Sequence, residues 1–355
     1  MWIYFFILFI SSFLALSFKK TSGNIFRNSS SDLGLIIFGF FLTIFIGLRD
    51  YVGADWDIYL EAYNNATYFG PSGDYERGGD LAYNFLNWLS SNIGGGIYLV
   101  NSLCALIFVG SIVNFAKTTN NPWLCMVIAF PYLVIVVGMG YTRQSVAIGL
   151  LLSGIAAFEK GSVSKFIFFS FIACLFHKTA LILLPLVLLS GRSNLLSILG
   201  AFVFMFVFYF YLMSEQIDIL FNGYLQSTYK SSGAGIRISM NLLPALILLY
   251  RRKNYTVNQN IGSFWIWMSV SSIAYVPLLF IIPDSSTAVD RMALYWIPLQ
   301  LFVLANVPTI FGKTKSEDFI LRIFVVCYSF AVLFVWVFYA DNSSAWIPYR
   351  INFGF

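Results

Sequence analysis

Apolar residues come along this chain in long unbroken blocks separated by short polar breaks. That pattern has neither the period of two of a half-buried strand nor the single apolar stripe of a surface helix. A helix that crosses a bilayer needs about 20 mostly apolar residues, and somewhat fewer where the membrane thins. On that basis the blocks predict spans near 1–18, 33–48, 97–116, 122–139, 144–158, 163–177, 178–191, 194–213, 239–250, 262–282, 292–311 and 319–340. The first block is followed, not preceded, by Lys19-Lys20. It therefore reads as a retained span with its N-terminus outside rather than as a secretory signal.

Only 163–191 is ambiguous, as one long helix or two short ones. Two short helices keep Lys117, Lys160, Lys165, Arg251, Arg252, Lys253, Lys313 and Lys315 on the inner side with Lys19 and Lys20. One long helix would put Arg251-Arg252-Lys253 outside, against the inward bias of basic loops. The expected fold is therefore an all-α polytopic membrane protein of about twelve spans, with both termini on the outer face. Each short helix reaches only ~20 Å into a hydrocarbon layer of ~30 Å. Their shared tip, His177-Lys178, then lies at a depth where charge needs a cavity or a partner.

Composition agrees with this solvent. Of 355 residues, 59% are hydrophobic and 10% charged, with a mean hydropathy of +0.78. Soluble domains carry about 25% charge. The 21 basic residues exceed the 16 acidic ones by a net +5, and the longest basic run is Arg251–Lys253, so nucleic acid is excluded as a partner. The four cysteines lie in apolar runs with no CxxC pair, and a single histidine builds no His-rich metal site. No P-loop, GxSxG, HExxH or Asp-rich metal motif is present. The whole chain, 1–355, reads as one integral membrane domain. Outer loops are expected near 49–96 and 214–238, and segment 81–93 as an amphipathic helix along the membrane surface.

The candidate chemistry sits at the outer span ends. Arg49, Arg143, Lys178 and Arg291 stand there, with Arg237 and Arg350 on the same side. A forked guanidinium at such a depth suits a phosphate or carboxylate. Tyr141-Thr142-Arg143-Gln144 opens a span, where free N–H groups favour an anion. His177 belongs to the residue type that exchanges a proton near neutrality. Asp55, Trp56, Asp57 and Tyr59 are types that hold sugar hydroxyls, and Asp290-Arg291 with Tyr295 opens another span on that side. The tail Trp346-Ile347-Pro348-Tyr349-Arg350 reads as an interfacial aromatic anchor.

The ordered set Arg49 with Gly53-x-Asp55-x-x-x-Tyr59, Tyr141-x-Arg143-Gln144-x-x-Ala147, Phe176-His177-Lys178-Thr179-Ala180, Asp290-Arg291 and Trp346-x-Pro348-Tyr349-Arg350 resembles the EpsG/Wzy group of polysaccharide polymerases of capsule, exopolysaccharide and O-antigen assembly. The resemblance implies a GT-C-like glycosyltransferase in the bacterial plasma membrane, working on its outer face without metal or cofactor. Donor and acceptor would be glycans linked to undecaprenyl pyrophosphate, with membrane lipids around them and a chain-length regulator and a flippase as partners. Arg143, Arg49 and Arg291 would neutralise the departing pyrophosphate. His177 would be the general base, with Asp55 as the alternative base or acceptor holder. An O-antigen ligase shares the donor and the same residue types. A lipid-linked oligosaccharide transporter predicts mid-span charges and internal repeats, and the sequence shows neither.

Overall fold

A computed structural model describes residues 1–17, 29–71, 80–190, 199–200, 203, 207, 233–255, 259–281 and 286–352. The expected span 194–213 and most of the loop 214–238 lie outside the described residues. Among those described, the chain is helical apart from turns and one isolated bridge between Arg49 and Ile351.

The helices are α1 Trp2–Ser17, α2 Ser29–Gly47, α3 Trp56–Phe69, α4 Leu81–Asn92, α5 Gly96–Ala116, α6 Pro122–Gly140, α7 Thr142–Glu159, α8 Val163–Phe176, α9 Lys178–Leu188, α10 Ala234–Tyr250, α11 Gln259–Ile281, α12 Ser286–Phe311 and α13 Lys315–Tyr339. Among the described residues, five segments are long and apolar enough to cross a membrane: α5, α6, α12, α13 and residues Ile261–Ile281 of α11. Five further apolar helices among them are shorter.

Helix α6 is buried throughout and forms the centre, with α1, α5, α12 and α13 packed around it. Its middle, Phe130–Val137, is a π-helical turn. Pro131 there has no N–H to give the ladder, so the regular hydrogen bonding cannot pass through it. Polar side chains stitch the outer helices together. Gln300 donates to Asn241 Oδ1 at 2.6 Å, and Asn241 donates to the Ala293 carbonyl at 2.9 Å, joining α10 to α12.

The start of α1, the end of α2, the end of α6, the start of α7 and the tail after α13 meet at one end of the bundle, called here the site end. The tail is bound there by its backbone and its rings. The Tyr4 hydroxyl donates to the Trp346 carbonyl (2.7 Å), Gly53 N–H to Ala345 (2.9 Å), Asp50 N–H to Arg350 (3.1 Å) and Asn352 N–H to Leu48 (2.8 Å). Trp346 is 1% exposed, and its indole N–H donates to Ile135 in the π-helical turn. The sequence reading of this tail as an interfacial anchor is therefore corrected: an aromatic cluster at a chain end is equally suited to closing a core.

Two glycines are required here. Gly53 has φ +109°, and a Cβ on it would lie 2.3 Å from the Met139 carbonyl oxygen. A Cβ on Gly140 would lie 2.3 Å from the Trp346 ring.

Two further expectations change. The loop 49–96 contains helix α3, which a short and polar segment did not announce. Segment 81–93 does form a helix, α4, which buries Asn84, Asn87 and Ser90 against the protein and exposes Leu81 and Phe85. Helix α10 begins at Ala234 rather than 239, which puts Arg237 on its first turn. The segment 163–191 does break in two, at His177, whose backbone is extended (φ −161°, ψ 113°).

Candidate active site

Aspartate is a favoured residue at a helix start because its carboxylate accepts from first-turn N–H groups. Asp55 precedes α3 and Asp80 precedes α4, yet neither side chain makes a capping bond. Both carboxylates turn instead to basic residues of other helices.

Asp80 is 6% exposed. Its Oδ2 accepts from Arg143 Nη1 at 3.0 Å and lies 3.6 Å from His177 Nδ1, just beyond a hydrogen bond. Arg143 stands in the first turn of α7, where its guanidinium also faces the Tyr59 ring at 5.9 Å. Asp55 lies 3.9 Å from Arg291, which stacks on the Tyr141 ring at 3.8 Å from its centroid. Burial pushes the Asp55 carboxyl up from its ordinary value, against the opposing pull of Arg291 and then Arg143. The Gln144 amide donates to the Arg291 carbonyl at 2.8 Å, and the Tyr295 hydroxyl is 2.9 Å from Thr179. These contacts tie the starts of α7, α9 and α12 together.

Beside this belt lies a cavity of about 910 Å³. Arg237, Asp290, Arg291 and Tyr141 line its polar side, and Val136, Ile236, Met240, Val332 and Val335 its apolar side. Arg237 holds Asp290 in a two-point pair at 2.5 and 2.6 Å. The structure thus brings together Asp55, Tyr59, Arg143 and His177 in the belt, and Tyr141, Arg237, Asp290 and Arg291 at the cavity. Lys178 follows His177 directly, and Tyr295 and Gln144 lie behind as supports.

Four expected ligand residues stand elsewhere. Arg49 is 1% exposed. Its guanidinium donates to Val52 O (3.2 Å), Ile46 O (2.8 Å), Thr142 Oγ1 (2.8 Å) and Asn101 Oδ1 (3.4 Å). A cation so enclosed serves the frame, because its donors already have acceptors. The Tyr349 hydroxyl donates to Phe45 O at 2.7 Å, and its ring stacks on Phe45. Arg350 is an exposed residue of the bound tail, and Asp57 is exposed on the outer side of α3. The sequence reading passed over Asp80. The missing cap bond was invisible there, and one carboxylate among the several of an acid-rich loop gave no separate signal either. Among the described residues, no three His, Cys, Asp or Glu side chains are grouped as metal ligands would be.

A nearly all-helical membrane protein with an arginine–carboxylate belt beside a large half-apolar cavity is the class that this fold and site define. The chain belongs to the EpsG family, whose model matches residues 33–351, and EpsG is a family of polysaccharide polymerases. No curated protein and no solved structure matches it.

Proposed function

We propose that this protein is a GT-C-like glycosyltransferase that polymerises undecaprenyl-pyrophosphate-linked repeat units on the outer face of the bacterial plasma membrane. The observation that carries the reading is the pairing of Arg143 with Asp80 and of Arg291 with Asp55 in one belt, with Arg291 also lining a cavity that has apolar walls. Family membership supplies the product class. The site end is taken as the outer face because Lys117, Lys160, Lys165, Arg251, Arg252, Lys253, Lys313 and Lys315 belong to the opposite loops. Twelve spans, with the one near 194–213 included, put both termini on that face.

In the proposed step an acceptor sugar hydroxyl attacks the anomeric carbon of the donor glycan. The new C–O bond forms as the bond from that carbon to the pyrophosphate oxygen breaks, and undecaprenyl pyrophosphate leaves with the electron pair. Arg143 and Arg291 face the charge that develops on the departing oxygen. His177 takes the hydroxyl proton, held by Asp80, and Asp55 is the alternative acceptor of that proton. The reaction needs no metal in this reading, because guanidinium groups neutralise the leaving group.

The test is reconstitution of the purified chain, without added metal, with undecaprenyl-pyrophosphate-linked repeat units from its host. A product ladder spaced by one repeat unit is expected. His177→Ala and Arg143→Ala should each abolish the ladder while leaving the protein in the membrane. A product formed only on addition of lipid A core would make it a ligase, and silence in both assays would return transport to contention.

A further inference from the structure

Tyr132 lies in the π-helical turn of α6, is 7% exposed and lines the cavity. Its hydroxyl is within electrostatic reach of Arg237 and Asp290. No hydrogen bond from a described residue reaches it, and the hydroxyl is open to the cavity rather than sealed in the wall. Tyr328 lines the same cavity, and its hydroxyl is buried with no hydrogen-bond partner among the described residues. π-helical turns often mark functional sites because they re-aim side chains that a regular helix would turn away.

Charge decides what ligand this corner fits. Among the described lining residues Arg237 and Arg291 are balanced by Asp290 and Asp341, and Arg237 gives two donors to Asp290. These residues offer a pyrophosphate no surplus of positive charge. A sugar needs something else: donors and acceptors side by side, and flat apolar faces for its ring. Asp290, Asp341 and Asn342 supply acceptors, Arg237 and Asn342 supply donors, and a tyrosine hydroxyl is both. Trp336, Tyr339 and Trp346 line the same space with aromatic faces. Its volume stands at the upper end of the ~300–1,000 Å³ range of ligand pockets, so more than one sugar ring fits.

We infer that the cavity is a saccharide subsite adjoining the pyrophosphate position at Arg143 and Arg291, with Arg291 at their boundary, and that Tyr132 hydrogen-bonds a sugar hydroxyl in it beside the Arg237–Asp290 pair. This deepens the polymerase reading and rests on it for the identity of the glycan. Tyr132 is then a specificity-determining residue that holds the glycan while the chemistry proceeds at the belt.

The experiment uses the full chain in lipid nanodiscs and reads tryptophan fluorescence, since Trp336 and Trp346 line the cavity. Two probes are titrated separately: the free repeat-unit oligosaccharide without lipid, and undecaprenyl pyrophosphate without sugar. Tyr132→Phe removes only a hydroxyl that has no protein partner, so the melting temperature should not move. Loss of one hydrogen bond should weaken the oligosaccharide about tenfold and leave undecaprenyl pyrophosphate unchanged. In the ladder assay the same variant should raise KM with kcat retained.

Three outcomes overturn the inference: no binding of the oligosaccharide by the wild-type chain, equal affinity of both forms for it, or a loss confined to undecaprenyl pyrophosphate. A wild-type chain that builds no ladder while Tyr132→Phe still weakens the oligosaccharide would sink the polymerase reading and leave the subsite standing. A ladder with no effect of the variant on either probe would do the reverse.

Discussion

Giving up a helix cap costs about 0.5–2 kcal/mol, and Asp55 and Asp80 both do so to face arginines. Asp55 carries a second cost. A carboxyl whose folded pKa is raised above its unfolded value disfavours the folded state above that pKa, and the penalty fades as pH falls through it. Burial raises Asp55, so its charge opposes folding at neutral pH. Asp55→Asn should therefore melt at an equal or higher temperature than wild type at pH 7, with the gap closing in acid, while chain extension falls. A lower melting temperature at pH 7 would show that the Arg291 contact outweighs burial. Arg49 makes the opposite case, because every contact of its fork is to the frame. A lysine has no fork to match those acceptors. Arg49→Lys should lower stability by at least about 2 kcal/mol, seen as an earlier thermal transition in detergent, and unchanged melting would remove Arg49 from the frame.

At the scale of elements, hydropathy makes the bilayer-facing helices legible because lipid leaves a helix no choice but a long apolar run. It locates α5, α6, α11 and α13 within a few residues and starts α12 six residues late. It is silent on α3, whose polar residues follow no such rule, and on the π-helical turn, where Phe130–Val137 is as apolar as any ordinary span. The arginines and His177 stood out as charge at span ends. Tyr132 did not, since a tyrosine in an apolar run looks the same whether its hydroxyl has a partner or a ligand. The tail was misread for a similar reason: Trp346 is amphipathic, and only the structure shows Ile135 accepting its indole N–H. Trp346→Ala should cost about 3–5 kcal/mol and open one wall of the cavity. A variant that melts with wild type would show that the tail is no part of the core.

For the whole molecule, orientation follows from where the charges fall. Tyr51, 59% exposed at the site end, and Lys313, in the opposite loop between α12 and α13, provide a test. In intact cells, a membrane-impermeant thiol reagent should label Tyr51→Cys and leave Lys313→Cys untouched until the membrane is opened. The background for both is a chain in which the four native cysteines are replaced. The reverse pattern would turn the molecule over and place the arginine belt in the cytoplasm, against the proposed donor.

The bond from Tyr4 to Trp346 joins positions 342 residues apart. A ribosome adding ~5–20 residues per second needs roughly 20–70 s between making the two. Throughout that interval the first helix is already in the bilayer, and the wall that Trp346 provides does not yet exist. The wall that Trp346 provides is thus closed only after the helices it faces have been made. A chain stalled at its midpoint carries Arg143 but neither Arg291 nor the tail, so belt and pocket are both incomplete until the tail docks.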